Sequence, residues 1–191
     1  MPTGLFSSKQ RAALDAFPEV LSDEARDQHF WLSDADLGFV GRFGDGAVDV
    51  ALMLGSLRML GFVPADLPDS AELRAFVAGH LRSNEEFDVT GSEIPERSRR
   101  HRLAATVEHA GWRRPGKSDL KLLDGWLLER AMEHDKPQVL FGLTLDWLRV
   151  ERLVRPGITV IERAVAEARE QAWGETFDRL SLGLSDDGMT Y

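Results

Sequence analysis

Cysteine is absent from the 191-residue sequence, and so are long apolar runs. Without cysteine the chain has no disulfide, thiolate zinc site or thiol nucleophile, a composition that suits a reducing cytoplasm. The longest apolar runs, such as residues 50–54, are far too short to cross a bilayer. Because the first residues lack an apolar core, we also expect no signal peptide.

Recognisable catalytic and metal-binding motifs are also absent. The sequence contains no HExxH, no G-x-S-x-G and no pair of acids set apart in an apolar segment. Its five histidines are scattered and do not pair with a carboxylate at metal-ligand spacing. The sequence therefore predicts no metal site, no cofactor and no catalytic residue.

Acidic residues outnumber basic ones, with a formal net charge of −9. This balance argues against a simple nucleic-acid binder, since such domains usually carry a basic surface. The excess lies in the first half, where residues up to Glu96 include 7 basic and 17 acidic side chains. From Arg97 onward the numbers are 16 and 15, so the acidity does not extend into the second half.

Residues 136–173 predict two helices joined by a sharp turn at Pro156 and Gly157. Apolar residues recur at three- and four-residue steps on both sides of the turn, which is typical of helices with one buried face. Thr159 and Glu162 form a predicted capping box at the start of the second helix. Such a hairpin is typical of a helix-turn-helix, but equally of any packed helical pair.

Composition and periodicity predict an all-α fold of two small multi-helix units with helix-turn-helix-like hairpins. Residues 1–84 form the first, acidic unit, with the most apolar helix at residues 49–60. Residues 85–96 lose helical periodicity and gain glycine, proline and acids, which predicts a linker. The second unit spans residues 97–175, and residues 176–191 are predicted to be a frayed tail.

Basic residues are concentrated between Arg97 and Lys121, where eight lysines and arginines accompany only Glu108 and Asp119. Such a cluster is typical of a surface that neutralises phosphates. It is also typical of a solvated charged face beside an acidic segment. Spacing alone does not decide between these two interpretations.

Three phrases of the chain, in the same order, resemble those of one known family. They are LMLGSLRMLGFVPADLP at residues 52–68, RHRLAATVEHAGWR at residues 100–113, and a third at residues 147–163. The third fits the pattern W-L-x-x-x-x-L-x-x-P-G-x-T-x-x-E-R. Over about residues 5–173 the chain resembles the N-terminal region of TnpA, the large replicative transposase of the Tn-three family.

This resemblance implies a DNA-binding module that recognises the terminal inverted repeats of a transposon. The expected partner is double-stranded DNA, with self-association as a further expectation and no membrane. The implied location is the bacterial cytoplasm, in association with the nucleoid. The family's catalytic acids and magnesium site belong to a distant C-terminal part that this chain lacks, so we do not expect the chain alone to be an enzyme.

The resemblance and the basic cluster together assign nine DNA-binding residues. Four on one predicted helix would hold phosphates or reach a groove, three near its end would contact the backbone, and two would begin the reading helix. In chain order they are Arg97, Arg99, Arg100, Arg102, Arg113, Arg114, Lys117, Thr159 and Arg163.

An alternative interpretation is a helical protein–protein interaction domain. The net charge of −10 up to Glu96 would suit a basic partner or the second half of a neighbouring copy. The two interpretations differ in one structural expectation. A DNA-binding module should gather its basic residues on one surface, whereas an interaction domain could scatter them.

Overall fold

A computed structural model describes residues 4–81 and 95–186, and these residues form an all-α fold. The described ranges hold nine α-helices, a short 3₁₀ helix and one isolated backbone bridge, with no strand. The predicted fold class is confirmed. The helices are α1 Ser8–Asp15, α2 Asp23–Phe30, α3 Asp34–Val40, α4 Ala47–Leu60, α5 Ala71–His80, α6 Glu96–His109, α7 Lys117–Glu133, α8 Pro137–Val150 and α9 Ile158–Asp186, with the 3₁₀ helix at Gly41–Gly46.

Serine hydroxyls cap several of the helices in the first half of the chain. Ser22, Ser33 and Ser70 each accept a hydrogen bond from the backbone N–H three residues on, at 3.2 to 3.3 Å. Such caps satisfy donors that a helix leaves free in its first turn. Short polar residues in the sequence therefore fix where α2, α3 and α5 begin.

Helix α4 is the central element of the first half, and its residues from Ala47 to Leu57 are all buried. It ends at Gly61, whose φ of 77° lies in the left-handed region that glycine adopts readily. Helices α2, α3 and α5 pack around α4 and form a first apolar core. The predicted apolar helix at residues 49–60 is thus confirmed and begins slightly earlier.

A buried carboxylate ties α3 to α4 and α6. Asp36 is 3% exposed and accepts from the Arg58 guanidinium at 2.8 Å and from His109 Nε2 at 2.8 Å. It also accepts from the Ser33 hydroxyl at 2.7 Å. Burial raises the pKa of Asp36, but the bonds from His109, Ser33 and Arg58 outweigh it and lower that pKa to about 2. We call these four residues the Asp36 network.

A second apolar core lies between α7, α8 and α9. Leu127, Leu140 and Leu148 are at most 1% exposed there, and α7 packs along α9 more extensively than α8 does. The hairpin of α8 and α9 predicted from the sequence is therefore present. Its connection, residues 151–157, is longer than the roughly three- or four-residue turn of a helix-turn-helix. The helix-turn-helix-like character stays a prediction.

Two helices pack on the core of the other half of the chain. Phe6, just before α1, meets Phe141 of α8 edge to face with ring centroids 4.8 Å apart. Conversely, Ala105 and Ala110 at α6 pack against the first core. The division into residues 1–84 and 97–175 stays a prediction, and residues 85–94 of the predicted linker lie outside the described residues. Glu96, the last linker residue, is the first residue of α6.

The predicted capping box at Thr159 is wrong. Helix α9 already begins at Ile158, and the Glu162 carboxylate turns toward α1. It accepts from the Phe6 backbone N–H at 2.8 Å and from Arg11 Nε at 2.8 Å. A long-range ion pair has displaced the local one, because Arg11 offers a charged donor where the Thr159 amide offers a neutral one.

The predicted end of the last helix near residue 175 is also wrong, since α9 continues to Asp186. The Thr176 hydroxyl bonds the Ala172 carbonyl at 2.8 Å and lies 3.9 Å from Met132 Sδ at the end of α7. Contact with α7 therefore supports the helix beyond the last strong apolar repeat in its sequence. Of the helices in these described ranges, none has both the length and the hydropathy of a membrane span.

Candidate nucleic-acid interface

Helix α6 separates its four predicted DNA-binding arginines onto two faces. Arg97 and Arg100 are exposed, whereas Arg99 and Arg102 are partly buried against the first core. Arg100 Nε lies 2.8 Å from the Glu96 carboxylate in an exposed ion pair. The exposed face of α6 therefore presents two of the four guanidinium groups to solvent.

The inward pair holds α6 to the rest of the fold. Arg99 donates to the Pro64 carbonyl at 2.6 Å, and Arg102 lies 3.6 Å from the buried Asp49 carboxylate. Asp49 is also bound by Arg74 at 3.2 Å. The Arg102 guanidinium covers Gly46 so closely that a Cβ there would lie 2.4 Å from it. Arg99 and Arg102 thus have structural partners.

We expect Arg102→Ala to lower the free energy of unfolding by about 1–2 kcal/mol, because it leaves the buried Asp49 carboxylate with Arg74 alone. Arg97→Ala removes the same charge from an exposed site and should change stability by less than about 0.5 kcal/mol. Urea denaturation followed by circular dichroism measures both. Equal stabilities would show that Arg102 has no structural role.

The connection between α6 and α7 is bonded to the turn after α8. Arg113 N–H donates to the Arg152 carbonyl at 3.0 Å, and Val154 N–H donates to the Arg113 carbonyl at 2.9 Å. This bridge brings together side chains that are distant in the sequence and mostly exposed. We call the resulting patch the junction surface; it consists of Arg113, Arg114, Lys117 and Arg152.

Arg113 is oriented by a bidentate ion pair. Its Nη1 and Nη2 lie 2.5 and 2.7 Å from the two oxygens of Asp119 in the first turn of α7. The bond from Arg113 lowers the pKa of Asp119 to about 2, assisted by the Gly116 backbone N–H. Arg113 remains 57% exposed, so its remaining N–H groups face solvent. Within the described residues, Arg114 and Lys117 have no ion-pair partner.

The start of α9 adjoins this surface. Arg114 lines a cavity of about 190 Å³ together with Pro156 and Gly157, which immediately precede α9. Thr159 is exposed in the first turn, where no acidic residue stands. Arg163 is exposed one turn later and lies 3.7 Å from Glu167. The structure thus places Thr159 near the junction surface, with Arg163 one turn beyond it.

Arg152 is a basic residue that sequence reasoning did not assign. Its φ of 51° is left-handed, a conformation that side chains adopt at a cost. It occupies the position after α8 that glycine commonly takes, where Leu153 N–H reaches back to the Leu148 carbonyl at 2.8 Å. The repeat of arginine at positions 149, 152 and 155 is a sequence signal that could have drawn attention to it.

The predicted set therefore divides into separate groups. Arg113, Arg114 and Lys117 come together with Arg152, and Thr159 lies nearby. Arg97 and Arg100 stand at the other end of the 14-residue α6, about 20 Å away by helix rise. In the described parts of the chain, no three His, Asp or Glu side chains are grouped as metal ligands.

Comparison with protein families places these elements in one conserved-length unit. Residues 5–168 match the family described as Domain of unknown function, DUF4158. The chain belongs to the DUF4158 family. The matched range runs from the segment before α1 into α9. The DUF4158 match thus includes both apolar cores and the junction surface.

Curated relatives of this DUF4158 chain are transposases. The chain is 29% identical over 194 residues to the transposase for transposon Tn501 from Pseudomonas aeruginosa, covering 95% of this chain and 18% of the relative. It is 26% identical over 180 residues to the transposase for transposon gamma-delta from Escherichia coli K12, covering 90% and 18%. For the transposase of Tn21 from Escherichia coli the identity is 27% over 186 residues, covering 95% and 18%.

These comparisons confirm the resemblance to Tn-three family transposases noted from the three phrases. The chain spans about 18% of the length of each of these relatives. The nine assigned DNA-binding residues stay predictions, and the structure adds a location for each member of the DUF4158 chain's basic cluster.

Proposed function

We propose that this chain is a DNA-binding module of a transposase and recognises the terminal inverted repeats of its transposon. Catalysis would belong to other parts of the much longer relatives, of which the chain spans about 18%. Relatives named as transposases support the choice of DNA as partner. The single structural observation behind the proposal is the junction surface.

The junction surface has the features that a phosphate backbone requires. Four basic side chains meet there, and their acidic neighbours are Asp119, already bound to Arg113, and Glu151. Lys117 is the first residue of α7, where the helix dipole is positive and disfavours a cation. A phosphate would relieve this repulsion and also meet the free N–H groups of a helix N-terminus. The same holds at the start of α9, whose first turn has no acid.

Glu162 and Glu167 do not oppose this proposal. Glu162 is 8% exposed and bound by Arg11, so it is withdrawn from any DNA that approaches α9. Glu167 pairs with Arg163. The exposed carboxylate of Glu170 remains on α9, which favours contact through the first turn of that helix rather than along its length.

The test is fluorescence anisotropy of the chain with a duplex carrying its own inverted repeat, against a shuffled duplex, from low to physiological salt. We expect tighter binding to the repeat that persists at the higher salt. Arg114→Ala/Lys117→Ala removes two phosphate contacts, so the slope of log K against log salt should decrease in magnitude by about 2. Lys9→Ala/Lys136→Ala removes two exposed lysines elsewhere and should leave this slope unchanged.

Arg152→Gly separates binding from folding. Glycine adopts a φ of 51° readily, so this variant should be as stable as the parent or more stable by up to about 1 kcal/mol. If Arg152 contacts DNA, the same variant binds the repeat more weakly. Unchanged affinity of both the Arg152 variant and the Arg114/Lys117 variant would reject the junction surface. Equal binding of repeat and shuffled duplexes would reject recognition of the repeat.

A further inference from the structure

A broad groove in the acidic half of the chain has no role in the proposed DNA binding. It lies between residues 15–21, which connect α1 to α2, and residues 64–73, which lead into α5. Its volume is about 720 Å³. We call this cleft the acidic groove. It is larger than the cavity of about 190 Å³ beside Arg114, and it is open to solvent.

Apolar side chains form the floor of the acidic groove. Phe17, Leu21 and Leu67 are half-buried along it, and Leu73 is 3% exposed beneath them. Val20 at its edge is 86% exposed, an unusual position for a branched aliphatic residue. The groove therefore offers apolar surface that a partner side chain would remove from water.

The rim of the acidic groove is strongly negative. Five carboxylates line it, against Arg26 as the one cation in that lining, which leaves a formal charge of −4. The carboxylates are Asp15, Glu19, Asp66, Asp69 and Glu72.

The neighbouring cations do not neutralise this rim. Arg26 is already shared between Asp23 at 2.9 Å, Asp27 at 3.0 Å and Glu72 at 3.4 Å. Among the described residues, Glu19 and Asp66 have no ion-pair partner. The potential over the groove therefore favours a cationic occupant.

The backbone of the groove also favours donors over acceptors. Pro18, Pro64 and Pro68 stand in its two walls and have no N–H group, so these positions present carbonyl oxygens alone. One such carbonyl already holds a guanidinium, because Arg99 donates to Pro64 at 2.6 Å. The chain itself thus shows that an arginine side chain binds this loop.

We propose that the acidic groove docks a segment of a partner protein in which arginine or lysine residues flank an apolar side chain. The apolar side chain would rest on the floor near Leu67, and the cationic groups would reach Glu19 and Asp66 on opposite walls. This is a second binding activity, and it does not rest on the proposed recognition of DNA.

The test uses a fluorescein-labelled peptide, Gly-Arg-Leu-Arg-Pro-Leu-Arg-Gly, and measures its anisotropy with the full chain. We expect saturable binding that is lost when glutamate replaces the arginines and is weakened when serine replaces the leucines. Glu19→Lys/Asp66→Lys reverses two exposed charges at the groove and should weaken binding about tenfold or more. Asp124→Lys/Glu129→Lys reverses two exposed charges on α7 and should weaken it less than about threefold.

Three outcomes would overturn the proposal. Equal weakening by the two charge-reversed variants would show attraction to net charge and not to the groove. Equal binding of the leucine and serine peptides would show that the apolar floor is unused. Sedimentation equilibrium that reveals self-association, dissociated by Glu19→Lys/Asp66→Lys alone, would assign the groove to a second copy of the chain. Circular dichroism confirms that each variant is folded.

Discussion

Replacing Asp36 by asparagine is expected to lower the free energy of unfolding by about 3 kcal/mol. The substitution keeps the shape of the side chain but removes the charge that Arg58 and His109 both meet at 2.8 Å. Breaking a buried ion pair by removing one partner costs about 3–5 kcal/mol, and the partial exposure of Arg58 favours the lower end. Asp34→Asn, in the same first turn but exposed, should cost less than about 1 kcal/mol.

The same residue predicts a dependence on acid. The pKa of Asp36 is about 2 in the folded chain, below its ordinary value of 3.8. Its contribution, about 2 kcal/mol, is therefore complete above roughly pH 5 and is lost as the pH falls toward 2. Urea midpoints between pH 6 and pH 3 should fall for the parent and for Asp34→Asn, and fall less for Asp36→Asn. Parallel pH profiles for all three chains would contradict this assignment.

The second large effect is expected at Gly55, in the middle of α4. A Cβ built there would lie 2.2 Å from the ring of Phe30, which is fully buried and has no space to move. Overpacking of this kind costs about 1–3 kcal/mol or more, which exceeds the gain of about 1 kcal/mol from replacing a helical glycine. We expect Gly55→Ala to be destabilised even though alanine is the better helix former.

Gly142, in the middle of α8, is the matched control. A Cβ there meets nothing within 4 Å, so Gly142→Ala should be stabilised by up to about 1 kcal/mol. The two alanine variants should therefore differ by about 3 kcal/mol in the free energy of unfolding, measured by urea denaturation. Similar stabilities would mean that α4 and α2 separate at little cost.

Local chemistry was sufficient to predict most helices. The caps at Ser22, Ser33 and Ser70 and the stop at Pro156 depend on neighbours within a few residues, which the sequence displays directly. The capping box at Thr159 failed because a residue far away in the sequence, Arg11, binds Glu162 more strongly. Rules of local spacing contain no information about such a partner.

The basic cluster illustrates a different limit. Composition correctly locates the arginines between residues 97 and 121 but does not distinguish the two faces of α6. Periodicity would have helped, since Arg99 stands one turn before Leu103 and Arg102 one turn before the buried Thr106. Arg152 was missed because its neighbour across the backbone bridge, Arg113, is distant in the chain. Tertiary contacts alone create that part of the junction surface.

The pairing of α1 with α9 also affects how the chain is made. Arg11 and Glu162 are separated by 151 positions, so the ribosome synthesises one long before the other. At about 5–20 residues per second, α1 waits roughly 8–30 s for its partner. During that time Phe6, which later packs on Phe141, has no core to enter. The first core can close early around α4, whereas the second is completed only when the nascent chain has passed α9.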